Sequence, residues 1–135
     1  QTNRYEKAIA LTVGDNTTYP FMISQDTSNN YYSYLQTLNG SYSSFFASNP
    51  TLNAWNQLTV VYNGGTLTNY LNGTYSSQTS ASGNFLNASG IKFRLGWCYN
   101  SEYWTGNIAN GMFYNRDLSA TEVLNNYNAT KNRFN

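Results

Sequence analysis

The sequence predicts an all-β fold: an antiparallel two-sheet jelly-roll sandwich closed by a short C-terminal helix. Three observations carry this expectation. Short runs of aromatic and aliphatic residues alternate with polar ones from the N-terminal region to about residue 115. Asn- and Gly-rich breaks separate the runs at hairpin spacing, and the only helical pattern comes at the end of the chain.

The strand candidates follow in order. "YEKAIALTV", "YPFMIS", "YYSYLQ" and "SYSSFF" are four short strands at meander spacing. "WNQLTVVYNGGTLTNYLNGTYSSQ" reads as three more, turning at Asn63-Gly64-Gly65 and at Asn72-Gly73, where positive φ angles favour Asn and Gly. Leu58, Val60 and Tyr62 offer one face, answered by Leu67 and Leu71. Ser76 to Asn84 is polar and reads as an exposed loop. In "IKFRLGW", Ile91, Phe93, Leu95 and Trp97 share one face while Lys92 and Arg94 point the other way, a half-buried strand with one wet side. "NIANGMFYN" is a last strand candidate, with Gly111 as a bulge.

The closing segment carries Ser119 and Glu122 at capping-box spacing, followed by Val123, Leu124 and Tyr127 as an apolar stripe. A helix this short is marginal alone, so it must lie against the sandwich with Leu118 as its staple. One domain, residues 1–135, accounts for the whole chain, because this length encloses a single core.

Composition narrows the function classes. Charged residues are 10% of the chain and the net charge is +1, with the bases scattered, so no electrostatic footprint for nucleic acid forms. No apolar run is long enough to cross a bilayer as a helix, and membrane insertion is not expected. Three Trp, thirteen Tyr and seven Phe supply the apolar area that disordered chains lack. The chain opens at Gln1 rather than Met, as expected of a processed product or a piece of a longer protein. The single Cys98 excludes an internal disulfide and reads as a small buried hydrophobe. Sequons stand at Asn16, Asn39, Asn72, Asn87 and Asn128, about the four or five that so many Asn, Ser and Thr produce by chance. A Tyr/Ser/Asn/Thr-rich, Lys-poor surface suits a particle or extracellular protein.

At this point the residues resemble a known family. "AWNQLTVVYNGGTLTNYLNGT", then "FRLGW", then "YWTGNIANGMFYNRDLSATEV" are similar to the laminin-G-like domains of the concanavalin A-like lectin/glucanase superfamily. Trp55, Tyr70 to Gly73, Leu95-Gly96, Gly106, Ile108 and Tyr114-Asn115-Arg116 to Glu122 stand at the places of its pattern. The match covers about the last 80 residues; the first 50 agree only as generic strands. The ending "EVLNNYNATKNRF" resembles the tails of such domains in structural proteins of tailed phages and aquatic viruses. Members commonly carry Asp after the Ile of the "G-x-I-D" pattern, and here Ala109 holds that place. The resemblance implies a jelly roll that binds glycans or other surface ligands. Calcium in the family rests on acidic loops; with six carboxylates in this chain no cofactor is expected, calcium being the one alternative.

The chemistry available agrees with binding rather than turnover. Without His, neither a Ser-His-Asp nor a Cys-His arrangement can be built. Glycoside hydrolysis uses two facing carboxylates, and no two of Glu6, Asp15, Asp26, Glu102, Asp117 and Glu122 sit at i, i+2 on one strand. Asp117 and Glu122 suit the helix start. The chain is therefore not expected to be an enzyme. The strongest binding feature is "GWCYNSEYWTG", where Tyr99, Asn100, Glu102, Tyr103 and Trp104 combine flat rings with amide and carboxylate partners, the combination a sugar requires. Trp97, in alternation with Leu95 and Phe93, is read as support from the core. A second feature is "TSNNYYSYLQTLNGSY", with Tyr32 and Tyr34 on one side of its strand and Tyr31, Ser33 and Leu35 on the other. Such a surface could equally serve a subunit interface. The expected partners are glycans or a host-surface ligand, on a virion or extracellular surface. The rival is a self-assembling subunit of a capsid or fibre, a homo-oligomer without sugar affinity.

Overall fold

A computed structural model describes residues 5–13, 18–98 and 102–134. Eight strands form two antiparallel sheets: β1 (Glu6–Val13), β2 (Thr18–Gln25), β3 (Tyr31–Thr37), β4 (Gly40–Phe45), β5 (Leu58–Tyr62), β6 (Thr66–Leu71), β7 (Thr74–Ser80) and β8 (Ile91–Leu95). The first sheet runs β4-β3-β2-β1-β8 and the second β5-β6-β7, with α1 (Ala120–Thr130) at the end. This is the two-sheet jelly-roll sandwich with a short C-terminal helix that the alternating pattern predicts.

Register assigns the faces. Phe21 pairs with Leu35, Ile23 with Ser33, Leu11 with Phe93 and Ile9 with Leu95, so these side chains face the second sheet. Met22 opposite Tyr34 and Ala10 opposite Arg94 lie on the outer face. In the second sheet, Val60 and Tyr62 pack with Leu35, Leu67 and Ala81 between the sheets. Val61 lies on the opposite face, in a cluster with Tyr70, Leu118 and Val123. The molecule is thus layered: helix, three-stranded sheet, five-stranded sheet, and then the loop that follows β8.

Local chemistry makes the turns and the cap. Asn72 (φ 51°) and Gly73 (φ 77°) form a two-residue hairpin turn with both φ values positive, the twist antiparallel strands prefer. Asn63 Oδ1 accepts from the amides of Gly65 (3.0 Å) and Thr66 (2.8 Å), which closes the other hairpin. Ser119 Oγ accepts from the Glu122 amide at 3.2 Å, and the Ser119 amide donates to Glu122 Oε2 at 2.8 Å, completing the capping box.

Three expectations are corrected. Ser76–Ser80 belongs to β7 rather than to a loop, because Ser and Thr pair across β6 and only one side of this edge strand needs to be apolar. Ala81, just beyond, is buried against Leu35 and Leu67. The "NIANGMFYN" segment does not pair as a strand; Asn and Gly are weak strand formers, and it crosses the mouth of the inter-sheet space as irregular backbone. Trp97 leaves the inward face of β8. Gly96 takes φ 70°, which breaks the alternation, and the Trp97 ring comes to lie 4.3 Å from the guanidinium carbon of Arg94.

Candidate functional site

The outer face of the five-stranded sheet carries a shallow groove of about 360 Å³. Tyr5 and Lys7 enter it from the β1 end, Tyr19 and Met22 from β2, Tyr32 and Tyr34 from β3, and Ser43 from β4. Glu102 reaches it from the loop after β8. Strand alternation explains the gathering: Lys7 opposes Ser24, Ser24 opposes Tyr32, Met22 opposes Tyr34, and Tyr34 opposes Ser43.

The electrostatic centre is one ion pair. Lys7 Nζ lies 3.0 Å from Glu102 Oε2, with the lysine side chain 4% exposed and the glutamate 26%. The same ammonium sits 5.1 Å from the centroid of the Tyr5 ring, a cation–π contact. Tyr34 donates to Ser41 Oγ at 2.9 Å, and Tyr32 packs on Phe45 with ring centroids 5.4 Å apart. Burial pushes the Tyr32 phenol above its ordinary value, and the nearby negative charge of Glu102 adds to that rise. The groove is therefore a floor of phenol rings around an ion pair, able to stack on a flat apolar face and to exchange hydrogen bonds with hydroxyls or amides.

Tyr99 and Asn100 lie outside the described residues. Glu102 lines the groove. Tyr103 forms a bridge with Trp97 and is 49% exposed, beside the groove rather than on its floor. Trp104 turns away: its ring meets Tyr31 edge-on at 6.0 Å and lines the space between the sheets. The adjacent Thr105 amide donates to Glu6 Oε2 at 2.9 Å, anchoring the loop's return to β1. Tyr32 and Tyr34, read from sequence as a separate feature, meet Glu102 in one place. Lys7, Tyr5, Tyr19 and Ser43 were not singled out. The available signal was the alternation of "YEKAIALTV", which puts Lys7 on one face of β1, but nothing local says that a loop a hundred residues away supplies its partner.

The described carboxylates do not converge. Asp26 Oδ1 caps its own turn through the amides of Ser28 and Asn30, both at 2.8 Å, and the Asn30 amide above all holds its carboxyl below the ordinary value. Glu122 is engaged by Arg116, and Glu6 faces away from the groove. Among the described residues no cluster of three His, Cys, Asp or Glu is placed to hold a metal ion.

Two antiparallel sheets packed face to face, with a shallow groove on an outer face, make a jelly-roll β-sandwich. A family model described as the concanavalin A-like lectin/glucanases superfamily matches residues 1–124, and the chain belongs to that family. The match extends over the first strands, beyond the region that carries the sequence resemblance. A comparison with curated proteins returns no match. Among solved structures, the chain is similar to the receptor-binding domain of botulinum neurotoxin type G, with 21% identity and a TM-score of 0.59, covering 94% of this chain and 32% of that one. It is also similar to residues 221–444 of an S-layer domain-containing protein from Clostridium thermocellum, with 19% identity and a TM-score of 0.49 over 94% of this chain and 64% of that one. The chain thus spans less than two-thirds of either structure, and the likeness is one of fold.

Proposed function

We propose that this domain is a non-catalytic binding module that presents the groove around Tyr32, Tyr34 and the Lys7–Glu102 pair to a carbohydrate or similar polar ligand on a surface. The carrying observation is the convergence of four tyrosines and one partly buried ion pair in a single shallow groove. Shallow, aromatic and hydroxyl-rich is the chemistry that suits sugars, whose C–H faces stack and whose hydroxyls need both donors and acceptors. Glu102 supplies acceptors, and Tyr103 stands close enough along the loop to extend the contact. Tyr99 and Asn100 belong to the same loop and remain part of the proposed site. Trp104 belongs to it only as support. Only one described carboxylate lines the groove, which favours binding over hydrolysis. The family's lectin members and the receptor-binding role named for the neurotoxin domain fit a module working outside a cell or on a particle such as a virion. Glycan-array binding by the wild-type domain, lost in Tyr32→Ala and Glu102→Gln, is the expected result. Binding that persists in both variants would remove the groove from the reading.

A second reading rests on a different observation. β5 is an edge strand bordered by irregular chain, and an uncovered edge invites pairing with another copy. In that case the domain is an assembling structural subunit of a fibre or capsid. Light scattering after size exclusion separates the two, since a clean monomer at high concentration removes the assembly reading.

A further inference from the structure

Four Asn-Gly steps occur in the chain, at Asn39, Asn63, Asn72 and Asn110. At such a step the glycine nitrogen can attack the asparagine side-chain carbonyl carbon, because glycine has no side chain to shield it. The attack needs two freedoms. The side-chain amide must rotate over the main chain, and the following peptide must turn to meet it. Tertiary structure removes these freedoms at three of the steps and leaves them at the fourth.

Asn63 Oδ1 is held by three donors: the Gly65 amide at 3.0 Å, the Thr66 amide at 2.8 Å and the Thr66 hydroxyl at 3.2 Å. Asn72 is held at both ends of its amide, with Oδ1 accepting from the Gln57 amide at 2.8 Å and Nδ2 donating to Asn56 Oδ1 at 3.3 Å. Asn39 lies in the β3–β4 hairpin, where Thr37 pairs with Gly40, and its side chain covers Gly83. A Cβ added at Gly83 would stand 2.6 Å from Asn39 Cγ, so the carbon to be attacked is enclosed. Asn110 differs in each respect. It is exposed, residues 107–114 form neither ladder nor hydrogen-bonded turn, and among the described residues no hydrogen bond holds Asn110 or Gly111.

We propose that Asn110 is a site of spontaneous covalent modification, deamidation through a cyclic imide formed with Gly111. The Gly111 nitrogen gives its proton to base and bonds to Asn110 Cγ. The Cγ–Nδ2 bond breaks, and Nδ2 leaves as ammonia with a proton taken from water. Water then opens the imide at either carbonyl, giving aspartate or its isomer with the main chain routed through Cγ. One water enters and one ammonia leaves; nothing is oxidised or reduced, and no enzyme is required. The product carries a new carboxylate, which cancels the net charge of +1. Irregular backbone absorbs the extra main-chain carbon of the isomer, whereas a hairpin turn would lose its register. Asn110 borders the space between the sheets, so the groove on the outer face is untouched.

The test ages the folded domain in warm, mildly alkaline buffer and maps the products by peptide fragmentation in a mass spectrometer. Asn110 should gain about one dalton at least about tenfold faster than Asn39, Asn63 or Asn72. In denaturant the four rates should draw together, because all four share the same reactive unit once the hairpins are gone. Ion exchange of the aged protein should show an acidic species that Asn110→Gln lacks, since a longer side chain closes the ring far more slowly. Equal rates in the folded protein, a hairpin step that reacts faster, or an Asn110 advantage that persists in denaturant would each overturn the proposal. So would an undiminished acidic species in Asn110→Gln.

Discussion

Ser33 on β3 donates its hydroxyl to Asn69 Oδ1 on β6 at 2.7 Å, and neither residue is exposed to solvent. This contact ties the two sheets together through polar groups inside the sandwich. Asn69 Nδ2 in turn donates to the Ser44 carbonyl at 2.8 Å and to Ser77 Oγ at 3.1 Å, so its amide is satisfied on both ends. The sheets are thereby pinned where β3 and β4 meet β6 and β7.

Asn69→Ala should therefore cost about 3 kcal/mol, because it strands several buried groups at once. Ser33→Ala should cost about 1 kcal/mol, since Asn69 keeps two of its bonds. Urea unfolding of the two variants measures the difference. Equal losses would mean that the network is not anchored on Asn69.

Gly73 sits at φ 77° beneath the helix, and an added Cβ would come within 2.9 Å of the Tyr127 Cβ. Gly73→Ala should strain the turn and push α1 from the sheet, lowering stability by at least about 1 kcal/mol. Thermal unfolding followed at the helical dichroism signal reads this directly, and an unchanged midpoint would contradict the observed packing.

Arg116 and the cap together hold the Glu122 carboxyl at about 2, the guanidinium contributing most and the Ser119 amide and hydroxyl next. A carboxyl depressed on folding stabilises the protein above its ordinary value near 4.5 and loses that contribution as pH falls toward 2. Wild-type stability should decline across that acid window, and Glu122→Gln should decline less steeply. Parallel curves would assign the acid sensitivity to other groups. At neutral pH, Ser119→Ala should cost about 1 kcal/mol through loss of the cap.

Lys7 is almost fully enclosed, whereas Glu102 keeps contact with water. Glu102→Gln leaves an enclosed ammonium without its counter-charge and should cost about 2 kcal/mol, below the ~3–5 kcal/mol of a fully buried pair. Lys7→Met should cost less, because Glu102 can rehydrate and the lysine stem is replaced by a similar apolar one. Chemical denaturation of the two variants decides the order.

Cys98 is fully buried against Ala10 and Met22. A disulfide reagent should modify it only as fast as the region opens, and at full rate in denaturant. Rapid labelling of the folded protein would place it at the surface.

Eight strands and the helix were legible because their signals are local. Alternation at period two, Asn-Gly at tight turns and Ser-x-x-Glu at a helix start are each written within a few residues. The final expected strand was not formed, since Ile108 and Met112 alternate as a strand should but Asn107, Asn110 and Gly111 between them favour irregular backbone. Trp97 was misplaced by the same kind of local reading, because one glycine in a positive-φ conformation resets which face follows.

By itself, then, the sequence determined the two-layer architecture, the capped helix and the tyrosine-rich surfaces, all consequences of short-range periodicity and propensity. Tertiary structure alone decided that Glu102 meets Lys7 beside Tyr32, that Trp104 turns inward, and that Asn69 bonds across the sheets. Those are pairings between residues dozens of positions apart, set by strand order and register, and no local pattern encodes which distant side chain completes a buried charge or amide.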